Sequence, residues 1–185
     1  MSVHLLHGDS FLVPRRLDEL VNEFGASDVL DANRHRLIGS QTKPGELLSM
    51  CSALPFMDDY RLVIVEGLLG TAESKGRGRR RDSSDHSSAT DQWKSLGEAI
   101  PQMPDTTVLV FTDGSLGANN PLLRMLKPLT QVEELSAPSG EGLARWVKST
   151  VEAKGASISP TANRSITDLV GNDLWTLNQE LEKLA

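Results

Sequence analysis

The sequence predicts an α/β domain built on a parallel sheet, followed by a small all-helical unit. Three observations carry this. Residues 62–65 (Leu-Val-Ile-Val) and 107–112 (Thr-Val-Leu-Val-Phe-Thr) are unbroken β-rich runs without polar alternation, the mark of strands buried on both faces. Helically spaced segments alternate with strand-like runs up to about residue 137, which favours a parallel sheet with helices on both sides. Beyond Pro138-Ser139-Gly140 only helical patterns remain.

The elements follow in order. Residues 3–7 form a short apolar run closed by Gly8-Asp9, a first strand and its turn. Residues 11–24 place Leu12, Val13, Leu17, Leu20, Val21 and Phe24 at helical spacing, and Gly25 stands as the C-cap. Val29-Leu30, between Asp28 and Asp31, is expected to be a short second strand. Residues 43–53 suit a helix with Pro44 near its start and Leu47, Leu48, Met50 and Cys51 on its apolar side. The strand 61–66 follows. Residues 74–92 break the pattern with Lys75-Gly-Arg-Gly-Arg-Arg-Arg81 and a Ser/Asp-rich tail, and are expected to form a flexible inserted loop. A short helix at 93–100, the strand 107–112, a helix at 121–126 and a last strand at 131–135 complete the domain.

In the helical unit, residues 141–154 set Leu143, Trp146, Val147 and Val151 on one face before Gly155. Ser159-Pro160 opens a second helix that ends at Gly171, and Asn172-Asp173 caps a third with Leu174, Leu177, Leu181 and Leu184 in line. The expected domains are 1–137 and 138–185.

Composition bounds the function. With 38% hydrophobic and 24% charged residues, the chain belongs to the globular class, and no apolar run approaches the roughly 20 residues of a membrane span. A single cysteine excludes an internal disulfide and suits the cytoplasm. A net charge of −6 argues against the whole chain as a nucleic-acid footprint. His4 and His7 lie three apart on a strand and face opposite sides, His35 and His86 are isolated, and Cys51 has no neighbour at ligand spacing, so no metal site and no cofactor are expected. Cys51 is expected to be packed, and Trp146 and Trp175 to be core of the helical unit.

The segment between the third helix and the strand at 61 stands out. Leu54-Pro55-Phe56-Met57 is an apolar knob followed by Asp58 and Asp59, placed where a core does not obviously need it. Either Leu54 and Phe56 close the core under the helix, which ordinary burial statistics slightly favour, or the knob inserts into a partner. Buried on a partner, one aromatic side chain is worth roughly 1.5–3 kcal/mol, and Pro55 would limit the entropy lost on docking.

An ATPase would need a glycine-rich loop ending in Lys-Ser/Thr after the first strand. The corresponding place, Gly8-Asp-Ser-Phe-Leu-Val-Pro-Arg-Arg16, has one glycine and no Lys-Ser/Thr, and Asp9 would repel a phosphate. Arg15 and Arg16 could touch an anion, but a solvated helix face is expected for them. Glu66 and Thr112-Asp-Gly114 are expected at turns. Arg77, Arg79, Arg80 and Arg81 could touch a phosphate backbone, although no aromatics are interleaved to stack bases and Asp82 and Asp85 partly cancel the charge.

A nucleotide-binding type of sheet followed by a helical lid is the layout of the AAA+ (P-loop-like) ATPases. Leu5-Leu-His-Gly-Asp-Ser-Phe-Leu12 and Pro55-Phe-Met-Asp-Asp-Tyr-Arg-Leu-Val-Ile-Val-Glu-Gly67 narrow the likeness, as do Leu143-Ala-Arg-Trp-Val147, Gly155-Ala-Ser-Ile158 and the stretch from Gly171 to Leu184. In this order they resemble the delta subunits of the bacterial DNA polymerase III clamp loader, over nearly the whole chain except 74–92. The resemblance implies a non-catalytic part of a nucleotidyltransferase holoenzyme. Such a subunit binds the sliding clamp (beta subunit) through Leu54, Pro55, Phe56 and Met57 and opens the ring. Its implied partners are the ATP-binding motor subunits and delta-prime, with DNA reached through the complex and no membrane. Family members carry a third, helical collar domain, so a chain of 185 residues is expected to be a fragment or to lack the collar. Two rivals are an active ATP-dependent AAA+ enzyme with a degenerate loop and a DNA-binding module working through the arginine run.

Overall fold

The computed structural model describes residues 2–24, 30–73 and 84–184, with the backbone alone for 84–90 and neither side chain nor burial for 30 and 31. It divides into two compact units, 1–135 and 136–185.

The first unit holds five strands: β1 (Ser2–Gly8), β2 (Arg34–Ile38), β3 (Arg61–Glu66), β4 (Thr107–Asp113) and β5 (Gln131–Leu135). All pairings are parallel, in the order β2-β3-β4-β1-β5. Parallel neighbours need crossovers, and helices supply them: α1 (Leu12–Glu23), α2 (Leu30–Asn33), α3 (Pro44–Ser52), α4 (Ser84–Ala99) and α5 (Pro121–Leu126). The strand period of two sorts side chains cleanly between two faces. Leu6, Leu62, Ile64, Val108 and Val110 meet Val13, Leu17, Leu20 and Val21 of α1. Leu5, Val63, Val65, Leu109 and Phe111 meet α3, α4 and α5 through Leu47, Leu96 and Leu126. The continuous apolar runs in the sequence are thus the central strands, fully covered on both sides.

Two expectations need correction. The second strand is not at Val29-Leu30: Leu30 opens α2, Val29 lies outside the described residues, and the strand is Arg34–Ile38. As an edge strand, Arg-His-Arg-Leu-Ile carries charge rather than an apolar run, and only Leu37 packs against the core. The expected loop 74–92 is also too long, because α4 begins at Ser84. The Ser/Asp-rich stretch lacks apolar periodicity, so its helical part does not show in the pattern; residues 74–83 lie outside the described residues.

The second unit is three helices, α6 (Gly140–Ala153), α7 (Pro160–Val170) and α8 (Leu174–Leu184). Leu143, Val147 and Val151 are buried in it, as are Leu174, Leu177 and Leu181. Asn163 donates to the Ala144 carbonyl at 2.8 Å, tying α7 to α6. Trp175 is half exposed and Leu184 is exposed, so neither is the core residue its spacing suggested. Leu184 stands at the C-terminal end of α8, and Trp175, one residue round the helix from the buried Leu174, lies off the buried stripe.

Candidate functional site

The knob lies at the edge where the parallel strands begin. Helix α3 ends at Ser52, Ala53 turns extended, and residues 54–60 run irregularly into β3. Leu54 is 72% exposed, Phe56 66% and Met57 81%, while Pro55 is half-buried. None of the three exposed side chains closes the core under α3; that place is taken by Leu47 and Cys51. The alternative in which Leu54 and Phe56 are core residues does not hold.

The loop's backbone, by contrast, is anchored. The buried Asn33 amide accepts from the Phe56 N–H at 2.7 Å and donates to the Phe56 carbonyl at 2.9 Å. The Cys51 carbonyl accepts from the Thr107 hydroxyl at 2.8 Å, in a buried bond that fixes the end of α3 to β4. At the far side Tyr60 meets Phe24 edge-to-face at 5.3 Å, and Phe24 meets His4 in the same manner. Met57 takes a left-handed φ of 51°, which turns the chain at the tip. Burial pushes the Cys51 thiol up to about 12, so it remains a packed, protonated thiol.

At the opposite edge the strands β1, β3 and β4 end around a cleft of about 330 Å³ lined by residues that include Ser10, Pro14, Glu66, Thr112 and Gly114. Ligands of doubly wound sheets bind outside the carboxyl ends of the strands, at helix N-termini. Here the amides at the start of α1 are already engaged. The Asp9 carboxylate accepts from the N–H groups of Phe11 (2.9 Å) and Leu12 (3.1 Å). Gly8, at φ 132°, brings β1 against β5 so closely that a Cβ would lie 2.2 Å from the Leu135 carbonyl oxygen. Glu66 pairs with Arg36 at 3.0 Å. Asp113 accepts from the amides of Leu69 (2.7 Å) and Gly70 (3.2 Å). Burial raises its carboxyl above the usual range, and those backbone donors hold the rise back.

Arg15 and Arg16 are not simply solvated. Arg15 stacks 4.8 Å over the Phe11 ring, and Arg16 grips both oxygens of Glu133 on β5 at 2.8 and 3.1 Å. Those bonds raise the Arg16 pKa and lower that of Glu133. Arg77, Arg79, Arg80 and Arg81 lie outside the described residues. Among the described residues no group of three or more His, Cys, Asp or Glu could hold a metal ion, and no helix is long and apolar enough to cross a membrane.

Sequence reasoning missed Asn33 and Asn120, and it placed Asp113 at a turn without its bonds to Leu69 and Gly70. Asn120 caps α5 through the Leu123 amide and also donates to the Leu69 carbonyl and to Glu73. Its cap position before Pro121 was legible. The reach of Asn33 to a loop 23 residues away had no signal in the sequence.

The described residues thus form an α/β protein: a five-stranded parallel sheet with helices on both faces, the first amides of α1 held by Asp9, and a three-helix unit. The chain belongs to the family described as DNA polymerase III, delta subunit, whose profile matches residues 4–134. Among solved structures it is similar to the Bacillus subtilis DNA clamp loader delta protein. That likeness has 18% identity, a TM-score of 0.67, and covers 100% of this chain and 52% of that one. A Thermotoga maritima DNA polymerase III gamma subunit-related protein aligns at 15% identity and a TM-score of 0.48, over 98% of this chain and 53% of that one. The chain therefore spans about half the length of these solved proteins. Comparison with curated proteins finds no match.

Proposed function

We propose that this chain is the clamp-engaging part of a replication clamp loader. Leu54, Phe56 and Met57, with Pro55 shaping the turn, enter an apolar pocket on the sliding clamp (beta subunit) and favour the open ring. The carrying observation is the pairing of three exposed apolar side chains with a backbone tied at Phe56 to the buried Asn33 and, at the end of α3, to Thr107. Ordered backbone with free side chains limits the entropy lost on docking. Ring opening then draws on differential affinity: the subunit shifts the ring only by as much as it prefers the open form.

The chain does this without hydrolysing nucleotide. The amides that would cradle a phosphate serve the Asp9 carboxylate, and no Lys-Ser/Thr follows. ATP chemistry belongs to the motor subunits, which with delta-prime complete the cytoplasmic assembly, and DNA is reached through that complex.

The test is Phe56→Ala. Affinity for the cognate clamp, followed by surface plasmon resonance, falls about tenfold or more, while the melting temperature stays within a few degrees because the ring is exposed in the free chain. Unchanged affinity would remove the basis of the proposal.

A further inference from the structure

We propose that Asn33 is the positioning residue of the knob: its side chain holds the Phe56 backbone in the conformation that presents the Phe56 ring to a partner. This rests on the reading that the knob docks on the clamp.

Asn33 is the last residue of α2 and is fully buried. Its two amide atoms meet the two backbone polar groups of a single residue, Phe56. The pattern imitates one rung of a β-ladder, although residue 56 belongs to no strand. Only one orientation of the amide works, because the N–H of Phe56 needs an acceptor and its carbonyl needs a donor. An amide sealed from water is costly unless both ends are paired. The side chain therefore favours one loop conformation strongly and others not at all. Above this rung the side chains of residues 54, 56 and 57 are exposed. The hydrogen bonds thus act on the backbone of the residue whose side chain is free, as a docking element requires.

Other residues do not substitute. Aspartate keeps the shape but sets an oxygen against the Phe56 carbonyl. Alanine leaves both Phe56 groups without this partner.

The experiment compares the unaltered chain, Asn33→Asp, Asn33→Ala, Phe56→Ala and the Asn33→Asp/Phe56→Ala double variant. Clamp affinity is read by surface plasmon resonance, folding by circular dichroism, and the Phe56 amide by hydrogen exchange. Asn33→Ala, which removes the acceptor of the Phe56 N–H, is expected to keep the sheet and to speed exchange at the Phe56 amide about tenfold or more, and Asn33→Asp, which keeps that acceptor but sets an oxygen against the Phe56 carbonyl, is expected to weaken clamp binding by a factor on the order of ten. In the Phe56→Ala background it adds less than about twofold, because neighbours acting through one group are not additive. A merely structural asparagine would lower both backgrounds equally. Fast exchange with unchanged affinity, or unchanged exchange, overturns the inference. Loss of folding in both Asn33 variants overturns it as well, since Asn33 would then serve the sheet and not the knob. If Phe56→Ala alone leaves affinity intact, the docking reading fails, and the exchange result still decides whether Asn33 tethers the loop.

Discussion

The two edges of the sheet treat their hydrogen-bonding groups in opposite ways. Where the strands begin, buried side chains fix backbone: Asn33 on Phe56, Thr107 on Cys51. The apolar side chains above them remain outside. Where the strands end, carboxylates turn inward on the chain's own amides: Asp9 on the start of α1, Asp113 on Leu69 and Gly70. The first arrangement leaves interaction surface free on a fixed support. The second, at the start of α1, consumes amides that a nucleotide-binding fold would offer to phosphate. If the knob docks on the clamp, binding capacity has moved from one edge of the fold to the other.

The comparison can be broken at several points. The largest effect is expected from Gly8→Ala at the strand-end edge. A methyl at φ 132° and 2.2 Å from the Leu135 carbonyl oxygen must push β5 away from β1. The expected loss is roughly 2–5 kcal/mol from strain and overpacking together, read from urea denaturation. A stability loss under about 1 kcal/mol would mean that β1 and β5 are not held so closely.

Asp9→Ala should have a smaller effect. It removes the carboxylate from two α1 amides and should cost about 0.5–2 kcal/mol. It also frees those amides, so calorimetry with ATP sharpens the contrast. The expected result is no binding, because the lysine and hydroxyl of a phosphate cradle are still missing. Tight ATP binding by the unaltered chain would erase the difference between the two edges.

The smallest effect concerns pH near the knob. His4 is buried against Phe24, and burial lowers its pKa below the ordinary 6.5, opposed by Glu133 and Glu23 and aided by Arg16. The unfolded chain therefore takes up a proton that the folded chain resists. Stability is fully present above about pH 6.5 and declines as pH falls toward the folded value. His35 acts in the same direction, lowered by burial and by Arg61. Glu133, whose pKa is lowered by Arg16, adds a further loss only as pH drops through the carboxylate range below 4.5. His4→Phe should flatten the melting temperature between about pH 7 and about pH 5 relative to the unaltered chain. An unchanged slope would assign the acid loss to other groups.

Particular elements show how far the sequence could be read. The runs at 62–65 and 107–112 were legible as strands because burial on both faces leaves no polar residue to blur them. The helices α1, α3, α5, α6 and α7 were legible from apolar spacing and punctuation by Pro and Gly. The edge strand β2 was not, because it pairs with one neighbour, β3, and its run Arg-His-Arg-Leu-Ile shows neither a continuous apolar stretch nor a clean alternation. The knob was visible as residues out of place, but two readings of it were open on composition alone. Exposure settled that Leu54 and Phe56 are not core.

By itself the sequence determined the central strands, the helical character of the residues beyond Gly140, and the lack of a phosphate-binding signature after the first strand, since each of these is local periodicity or local chemistry. Only the tertiary structure decided the strand order, the grip of Asn33 on a loop 23 residues away and the turning of Asp9 onto its own helix. The physical reason is the range of the interactions. Apolar period and caps act within a few residues, whereas a hydrogen bond between distant segments exists only once the packed core has brought its donor and acceptor within about 3 Å.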